Sequence, residues 1–424
     1  MPHRVDPALP QGGPHVSAGR ILVVGAGIGG LATALSVAAR GHRVTVLERR
    51  DEIAEPGAGT QLSPNAFHAL EQIGVDRAVR ERSVFVDELR LMNATTGERI
   101  AGMPLTGRYR ERFGNGYAVL HRGELHSVLL DACRAADGIK LVPGQSVTWY
   151  DQTPDRVTAV TDTGRRFTGS ALIAADGIRS AVRRQLVGDG GPQASGHTIY
   201  HSVVPLADIA EDRLPPDLSP GSVTAWVGAD RHMVHFIHRA ADGTRYLNLG
   251  ATRDHGTQEA LVGLPLEKSH VLAQFPESAD SVRRLLELGQ EWRTWVLNDR
   301  DPVAGWTDGR VALLGNAAHP MLPYAVQGVS MTLEDAAALG ELLDCDGRDV
   351  AQRLEKYNAV RRARTARTQL VARELGTRLL HPAGEAAAAR DTMLAALTAE
   401  ELHDRVAWLH GKRDFTNSTE GAEN

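Results

Sequence analysis

The chain is poor in cysteine: Cys133 and Cys345 are the two present in 424 residues, and no CxxC spacing occurs. That count argues against a disulfide framework and a thiolate metal site, and it points to a reducing, cytoplasmic setting. Charge of one sign is also lacking. The formal net charge is -5 with acids and bases interspersed, so no patch forms that would attract nucleic acid or an anionic membrane. No run approaches the roughly 20 apolar residues that span a bilayer. The opening MPHRVDPALPQGGPHVSAGR has no apolar core, so residues 1–18 read as a flexible leader, not a signal peptide. Aromatics are few and glycines many, 7 Phe against 43 Gly, which implies numerous tight turns. What is present in quantity is ordinary globular material, 42% hydrophobic and 23% charged. The length allows two closely associated domains with room for a buried cofactor.

Periodicity organises the chain. Ile21 to Val24 is a continuous apolar run entering glycines, the pattern of a fully buried parallel strand. Gly29 to Arg40 keeps helical spacing and stops at Gly41, and Arg43 to Leu47 is a second buried strand, which completes a βαβ unit. A short helix is expected over 65–72, a hairpin closed at Thr96-Gly97, and an amphipathic helix from Leu125 to Ala136. Ala171 to Ala175 and Val311 to Leu314 repeat the buried-strand signature. Between about 191 and 295 short alternating strands predict an inserted antiparallel sheet. From Arg353 to Leu380 a basic amphipathic helix interrupted at Gly376 is expected, solvated and packed on the domain, and KRDFTNSTEGAEN reads as a frayed tail.

The strongest local motif is Gly25-Ala26-Gly27-Ile28-Gly29-Gly30, a GxGxxG between predicted strand and predicted helix. Gly25 permits the turn, Gly27 admits a pyrophosphate close to the backbone, and Gly30 lets helix pack on strand. The helix N-terminus offers free N–H groups to phosphate. Glu48, 18 residues after Gly30, ends the second strand where a carboxylate can accept ribose hydroxyls. The motif alone does not separate FAD from NAD.

Two further segments bear on that choice: Asp176-Gly177-Ile178-Arg179-Ser180, and the stretch from Gly309 to Pro320 containing Leu314-Gly315-Asn316-Ala317-Ala318-His319-Pro320. With GAGTQLSPNAFHALEQIGV from Gly57, HRGELHSVLL from His121 and QGVSMTLEDA from Gln327, they make the chain resemble the flavoprotein aromatic hydroxylases, the family of para-hydroxybenzoate, salicylate and 3-hydroxybenzoate hydroxylases. The resemblance runs from about residue 20 to 375. It implies an α/β fold: a Rossmann-like FAD-binding domain (19–85, 105–190 and 295–375), an inserted antiparallel-sheet substrate domain (86–104 and 191–294) and a helical C-terminus with tail (376–424). It also implies an FAD-dependent monooxygenase that takes electrons from NADH or NADPH and hydroxylates a small aromatic acid, salicylate-like or hydroxybenzoate-like and including amino-substituted ones, with O2 through a flavin C4a-hydroperoxide. A monomer or homodimer is expected.

Carried over by position, the resemblance assigns cofactor contacts to Gly25, Ala26, Gly27, Ile28 and Gly30, and places Glu48 and Arg49 at the adenosine ribose. Gln61 is also assigned to the cofactor, Arg122 to the ribityl and pyrophosphate region, Val147 to the adenine, and Asp176 to both cofactor and NAD(P)H. Pro320, Pro323 and the backbone of Gly328, Val329, Ser330 and Met331 are implied to lie by the isoalloxazine, at a helix N-terminus able to stabilise flavin negative charge. The chain departs from the family at Asn316, where an aspartate is usual. An amide keeps an acceptor oxygen but loses a charge-assisted bond, a difference of about 1–2 kcal/mol in FAD affinity.

Histidine suits a phenol base near neutral pH. His232 and Phe236 align with positions where 3-hydroxybenzoate-type hydroxylases carry a His and a Tyr, which makes His232 the first candidate, with a satisfied strand histidine as the competing reading. His235 should face the other side of the strand from His232 and is the second candidate. Gln327 is a candidate polar contact to substrate, ahead of Arg239, Tyr246, Asn248 and Arg253, while His319 is expected to shape the flavin loop. Two other readings stay open at this level: a flavin-free NAD(P) dehydrogenase, which shares GxGxxG, and a degenerate binder marked by Asn316.

Overall fold

A computed structural model describes residues 19–54, 58–215, 218–257, 259, 261–345 and 348–417. The expected leader and the last part of the expected tail, 418–424, lie outside the described residues.

The apolar runs that end in glycine become neighbours in one sheet. Its order is Thr307–Asp308, Val311–Leu313, Ala171–Ala174, Arg20–Val24, Arg43–Leu47 and Ile139–Val142. All pairs are parallel except the edge pair Thr307–Asp308 with Val311–Leu313. Each inner strand is buried on both faces, which is why it reads as a continuous hydrophobic run. Because the strands are parallel, Gly25, Asp176 and Gly315 emerge together at their C-terminal edge, where open α/β sheets bind ligands. The helix Ile28–Ala38 leaves that edge directly after Gly25, whose φ of 98° suits glycine. At Gly30 a Cβ would lie 1.8 Å from the Gly25 carbonyl oxygen, so helix and turn can approach this closely only without a side chain.

An eight-stranded sheet forms the second layer, ordered Val262–Pro265, Arg293–Asp299, Gln193–Pro205, Arg245–Thr257, Arg231–Arg239, Ser222–Gly228, Glu88–Asn93 and Arg99–Pro104. It is not wholly antiparallel: Ser222–Gly228 runs parallel to Glu88–Asn93, because the hairpin of 88–104 is donated from far upstream in the chain. The boundary expected at 295 also moves, since Arg293–Asp299 is a full strand of this sheet. One face of the sheet packs on the helices Lys268–Ala273 and Asp280–Leu288 through Met233, Ile237 and Leu285. The other faces the C-terminal edge of the parallel sheet.

The basic helix spans Val350–Glu374 and does not break at Gly376; it widens into a π-helical turn, Leu375–Leu380. A Cβ on Gly376 would stand 2.8 Å from the Tyr324 ring, so the glycine serves close approach and not termination. Two more helices, Gly384–Ala395 and Ala399–His410, fold back over the sheet, the second started by a capping box between Thr398 and Glu401. The expected fraying of 412–417 is not observed: Phe415 is 1% exposed and belongs to the main hydrophobic core.

The basic helix is also not merely solvated. Arg361 is buried, with Nη1 2.7 Å from Glu334 Oε2 and Nε 2.8 Å from Asp335 Oδ1. Arg364 adds a second cation on Glu334 at 2.9 Å, and His319 Nε2 stands 2.5 Å from Asp335 Oδ2. Burial drives the Glu334 carboxyl up, but Arg364 and Arg361 outweigh it and hold its pKa at about 2. Replacing Arg361 by Met should therefore lower the unfolding free energy by about 3–5 kcal/mol, the cost of leaving buried charge uncompensated, as read by urea denaturation. Glu334 is depressed on folding, so its contribution is present above the unfolded carboxyl pKa and is lost as pH falls from about 4.5 towards 2. The destabilisation caused by Glu334→Gln should accordingly be large at pH 7 and shrink across that window.

Candidate active site

A cavity of 1780 Å³ opens between the C-terminal edge of the parallel sheet, the inner face of the eight-stranded sheet and the C-terminal helices. That exceeds the roughly 300–1,000 Å³ of ordinary ligand pockets, so there is room for a dinucleotide and a second molecule.

The first half of the cavity is built from backbone. Gly25 to Gly29 line it, together with Glu48, Arg49, Gln61, Arg122, Val147, Asp176, Asn316, Pro323, Gly328 and Val329. Helix Ile28–Ala38 begins at Gly27 with no side-chain cap and no acid in its first turn, which leaves its N–H groups for an anion. Glu48 steadies the glycine loop by accepting Ala26 N at 2.8 Å and Arg50 N at 3.0 Å. His126 Nε2 meets the Ala26 carbonyl at 2.8 Å from the helix Arg122–Ala135, a support not foreseen from sequence. Asp176 Oδ2 accepts from Ala181 N at 2.9 Å, while its Oδ1 is buried with no partner. Burial raises the Asp176 carboxyl against the hydrogen bonds that lower it. This orphaned acceptor, the bare helix N-terminus and the Cβ-free loop fit a dinucleotide with ribityl or ribose hydroxyls.

Four assigned cofactor residues lie behind the cavity wall, among them Pro320, which is buried with its carbonyl accepting from Gln369 at 2.8 Å. Gly30 faces the Gly25 turn. Ser330 and Met331 are buried within helix Gly328–Leu342, where Ser330 Oγ is 3.4 Å from Ser63 Oγ and the Met331 carbonyl accepts from Arg361 at 3.3 Å. Their side chains hold the helix, and the cavity meets its first turn at Gly328 and Val329. Immediately before it, Val326 has φ 54°, a left-handed conformation that costs a β-branched residue on the order of 1–3 kcal/mol. Asn316 is exposed to the cavity in the short turn Gly315–Ala317, whose first amide is held by Asp335 Oδ2 at 3.2 Å.

The second half is lined by alternate residues of the eight-stranded sheet. Leu89, Leu91, Val223, Ala225, Val234 and Phe236 form an apolar wall, with His201, Asn248, Thr252 and His232 as polar groups within it. Asn248 Oδ1 accepts from Gly59 N at 2.9 Å and meets His201 Nε2 at 2.8 Å, so it ties the sheet to the cofactor half. His232 Nδ1 lies 2.7 Å from His381 Nε2, which leaves Nε2 as the ring nitrogen for a ligand. Burial, then His381 and His197, hold the His232 imidazole well below its ordinary pKa.

Strand alternation separates the other candidates from the cavity. His235 points to the opposite face, where its Nδ1 accepts the Trp226 indole N–H at 3.2 Å beneath the covering helices, so it cannot reach a ligand in the cavity. Gln327 is also withdrawn: its amide donates to Ser63 Oγ at 2.9 Å and accepts from Asn65 Nδ2 at 3.1 Å, behind the helix it precedes. Arg239, Tyr246 and Arg253 do not line the cavity, and Asn248 does. His319 shapes its loop through a 2.5 Å hydrogen bond with Asp335. Sequence reading missed Tyr324, His201 and the C-terminal groups Leu380, Arg390, Met393 and Trp408, all of which line the cavity. No local pattern marks them, because their placement depends on the chain returning over the sheet.

Comparison with known proteins agrees with this geometry. The sequence family described as FAD binding domain matches residues 19–372. The 3-hydroxybenzoate 6-hydroxylase 1 of Aquipseudomonas alcaligenes is 42% identical over 392 residues, 92% of this chain and 97% of that protein. The 3-amino-4-hydroxybenzoate 2-monooxygenase of Streptomyces cremeus is 31% identical over 393 residues, 93% of this chain and 95% of the relative. Among solved structures, a salicylate hydroxylase substrate complex superposes with a TM-score of 0.79 at 25% identity, covering 94% of this chain and 96% of the other. HpxO of Klebsiella pneumoniae, complexed with FAD and uric acid, gives a TM-score of 0.77 at 25% identity over 91% and 95% of the two chains. The flavin-free and degenerate readings are thereby set aside: this chain belongs to the FAD-binding flavoprotein monooxygenases, the aromatic hydroxylase family.

Proposed function

We propose that the protein hydroxylates a phenolic acid of the hydroxybenzoate class, with His232 as the base that receives the phenol proton. The reading is carried by one observation: His232 presents a ring nitrogen not taken by His381 from the apolar wall of the cavity, with its ring edge-on at 5.4 Å to Tyr324 of the loop against which the flavin ring would rest. FAD, reduced by NADH or NADPH, supplies the activation of dioxygen. The chain's own residues do the rest. Leu89, Leu91, Val223, Ala225, Val234 and Phe236 form an apolar wall that would exclude water and hold an aromatic ring in the cavity. Withdrawal of the phenol proton by neutral His232 raises electron density at the ring carbons and makes one of them the nucleophile. Phe236 stands in the cavity wall without a hydroxyl, so His232 works without a tyrosine from its own strand.

On the cofactor side, Glu48 and Arg49 would take the adenosine ribose, Val147 the adenine, and Arg122 and Gln61 the diphosphate and ribityl region. Asp176 Oδ1 and Asn316 would take hydroxyls, and the first-turn amides from Gly328 to Met331 the flavin edge, with Pro323 against the ring.

The relative 42% identical to this chain is named for 3-hydroxybenzoate, which makes that acid the first to test. In a panel of hydroxybenzoates and aminohydroxybenzoates, at least one should stimulate NAD(P)H oxidation and give a product heavier by one oxygen. His232→Asn should then lower the hydroxylation rate by about 10²–10⁴-fold while flavin reduction persists and peroxide rises; undiminished hydroxylation would remove His232 from the role of base. Asn316→Asp should restore a charge-assisted hydrogen bond and lower the FAD Kd about tenfold, equivalent to 1–2 kcal/mol, measured by titrating apoprotein with FAD and following fluorescence quenching.

A further inference from the structure

His232 is 5% exposed, and a buried base that accepts a proton in every turnover needs an outlet for it. The end of the sheet beyond His232 carries a group of titratable side chains that the reaction above does not use. Strand register pairs His197 with Asp254 and His232 with Thr252. Since Thr252 and His232 line the cavity, alternation puts Asp254 and His197 on that same face, one step nearer the edge. His381, the first residue after the π-helical turn, closes on them from above, with Nε2 2.7 Å from His232 Nδ1. His197 Nδ1 is hydrogen-bonded to the Tyr324 hydroxyl.

The geometry continues outward. A ring nitrogen of His197, one of His381 and a carboxylate oxygen of Asp254 all lie within 4.8 Å of one another, a gap that a single water bridges. His381 Nδ1 is buried and has no hydrogen-bond partner, while its other ring nitrogen is taken by His232. Exposure rises along the line, from 5% at His232 and 9% at His381 to 45% for the Asp254 side chain.

We propose that His381 and Asp254, with His197 beside them, form a proton relay that connects His232 to solvent. The inference rests on His232 being the phenol base. The substrate O–H proton passes to His232 Nε2 as the proton on Nδ1 moves to His381 Nε2. The His381 Nδ1 proton then crosses a water to the Asp254 carboxylate and leaves. A proton returned at product release runs the line backwards and restores each tautomer, so no oxidant or reductant is involved.

The surroundings suit the task. Burial and the neighbouring His197 lower His381 to about 4, against the opposing pull of Asp254 and Asp230. Burial likewise lowers His197 in spite of Asp254. Near neutral pH each ring therefore has one N–H and one lone pair, which a relay requires. Of the other charged groups packed around the line, Asp230 is held by Arg231 and Arg253, and His255 is hydrogen-bonded to Thr198 Oγ1. Burial keeps the Tyr324 hydroxyl protonated far above neutral pH.

The test mixes FAD-loaded protein with 3-hydroxybenzoate, or with the acid found active in the panel, in weak buffer containing a pH-indicator dye, without NAD(P)H or oxygen. Wild type should release a proton on binding. His381→Gln should slow that release at least tenfold with substrate Kd and flavin spectrum unchanged, and imidazole should restore the rate in His381→Ala. Asp254→Asn, an exposed change that leaves the core intact, should also slow release and shift its pH dependence. Release at the wild-type rate in both the Gln and Asn variants would overturn the relay while leaving His232 as base. A stoichiometric divalent cation in the wild-type protein, lost in His381→Gln, would overturn it too, by making the group a metal site. Absence of both proton release and hydroxylation in wild type would bring down the proposed function together with the relay.

Discussion

One buried arginine determines where the loop that would meet the flavin sits. Arg361 reaches from the long C-terminal helix to both carboxylates of helix Gly328–Leu342, Glu334 and Asp335, and to the Met331 carbonyl. Glu334 in turn accepts from Asn65 at 2.7 Å, which holds the amide network of Gln327 and Ser63, and Asp335 secures the Gly315 amide and His319. The loop 315–328, with its left-handed valine, is therefore clamped from behind by charges that never touch the cavity. Buried ion pairs seldom add much net stability. This one fixes the start of a helix against a strained turn, where an apolar core would leave the loop free to shift.

The cofactor half was legible because its requirements are local. A buried parallel strand needs consecutive apolar residues, the turn after it needs glycine, and the helix that follows needs a free N-terminus; all three appear within a dozen residues of Ile21. Three such strand ends lie more than a hundred residues apart in sequence, yet the sheet order makes them adjacent. Within this half the facing of side chains was the harder part to read. Ser330 and Met331, assigned through their backbone, turn their side chains inward, because a helix presents only part of its circumference to a ligand.

The substrate half was legible only to the level of its strands. Period-two alternation separates His232 from His235, but which of them faces the cavity depends on the two helices that cover Trp226 and Met233, elements that follow later in the chain. His381 and Tyr324 reach His232 from 149 residues away and from the flavin loop, and neither contact leaves a periodic trace. Within the described residues 376–417, the two helices Gly384–Ala395 and Ala399–His410 and the buried Phe415 went unread for the same reason. These two helices gain stability from apolar faces laid over the cavity, an effect of tertiary packing that propensity does not report.

This division has a chemical consequence. The cofactor wall is backbone held by buried ions, so most side-chain changes there act on stability before they act on chemistry. The substrate wall is a row of alternate side chains on a sheet whose ladder is indifferent to them, so Phe236 can stand where a tyrosine is expected without disturbing its strand. Asn316 is the exception on the cofactor side, because its side chain faces the cavity from a turn that Asp335 and His319 already secure. A change of charge at that position can alter how tightly FAD is held without altering where it lies. A substitution at Asn316 meets a scaffold that is already secured without it, whereas Glu334, Asp335 and the glycine turns are that scaffold.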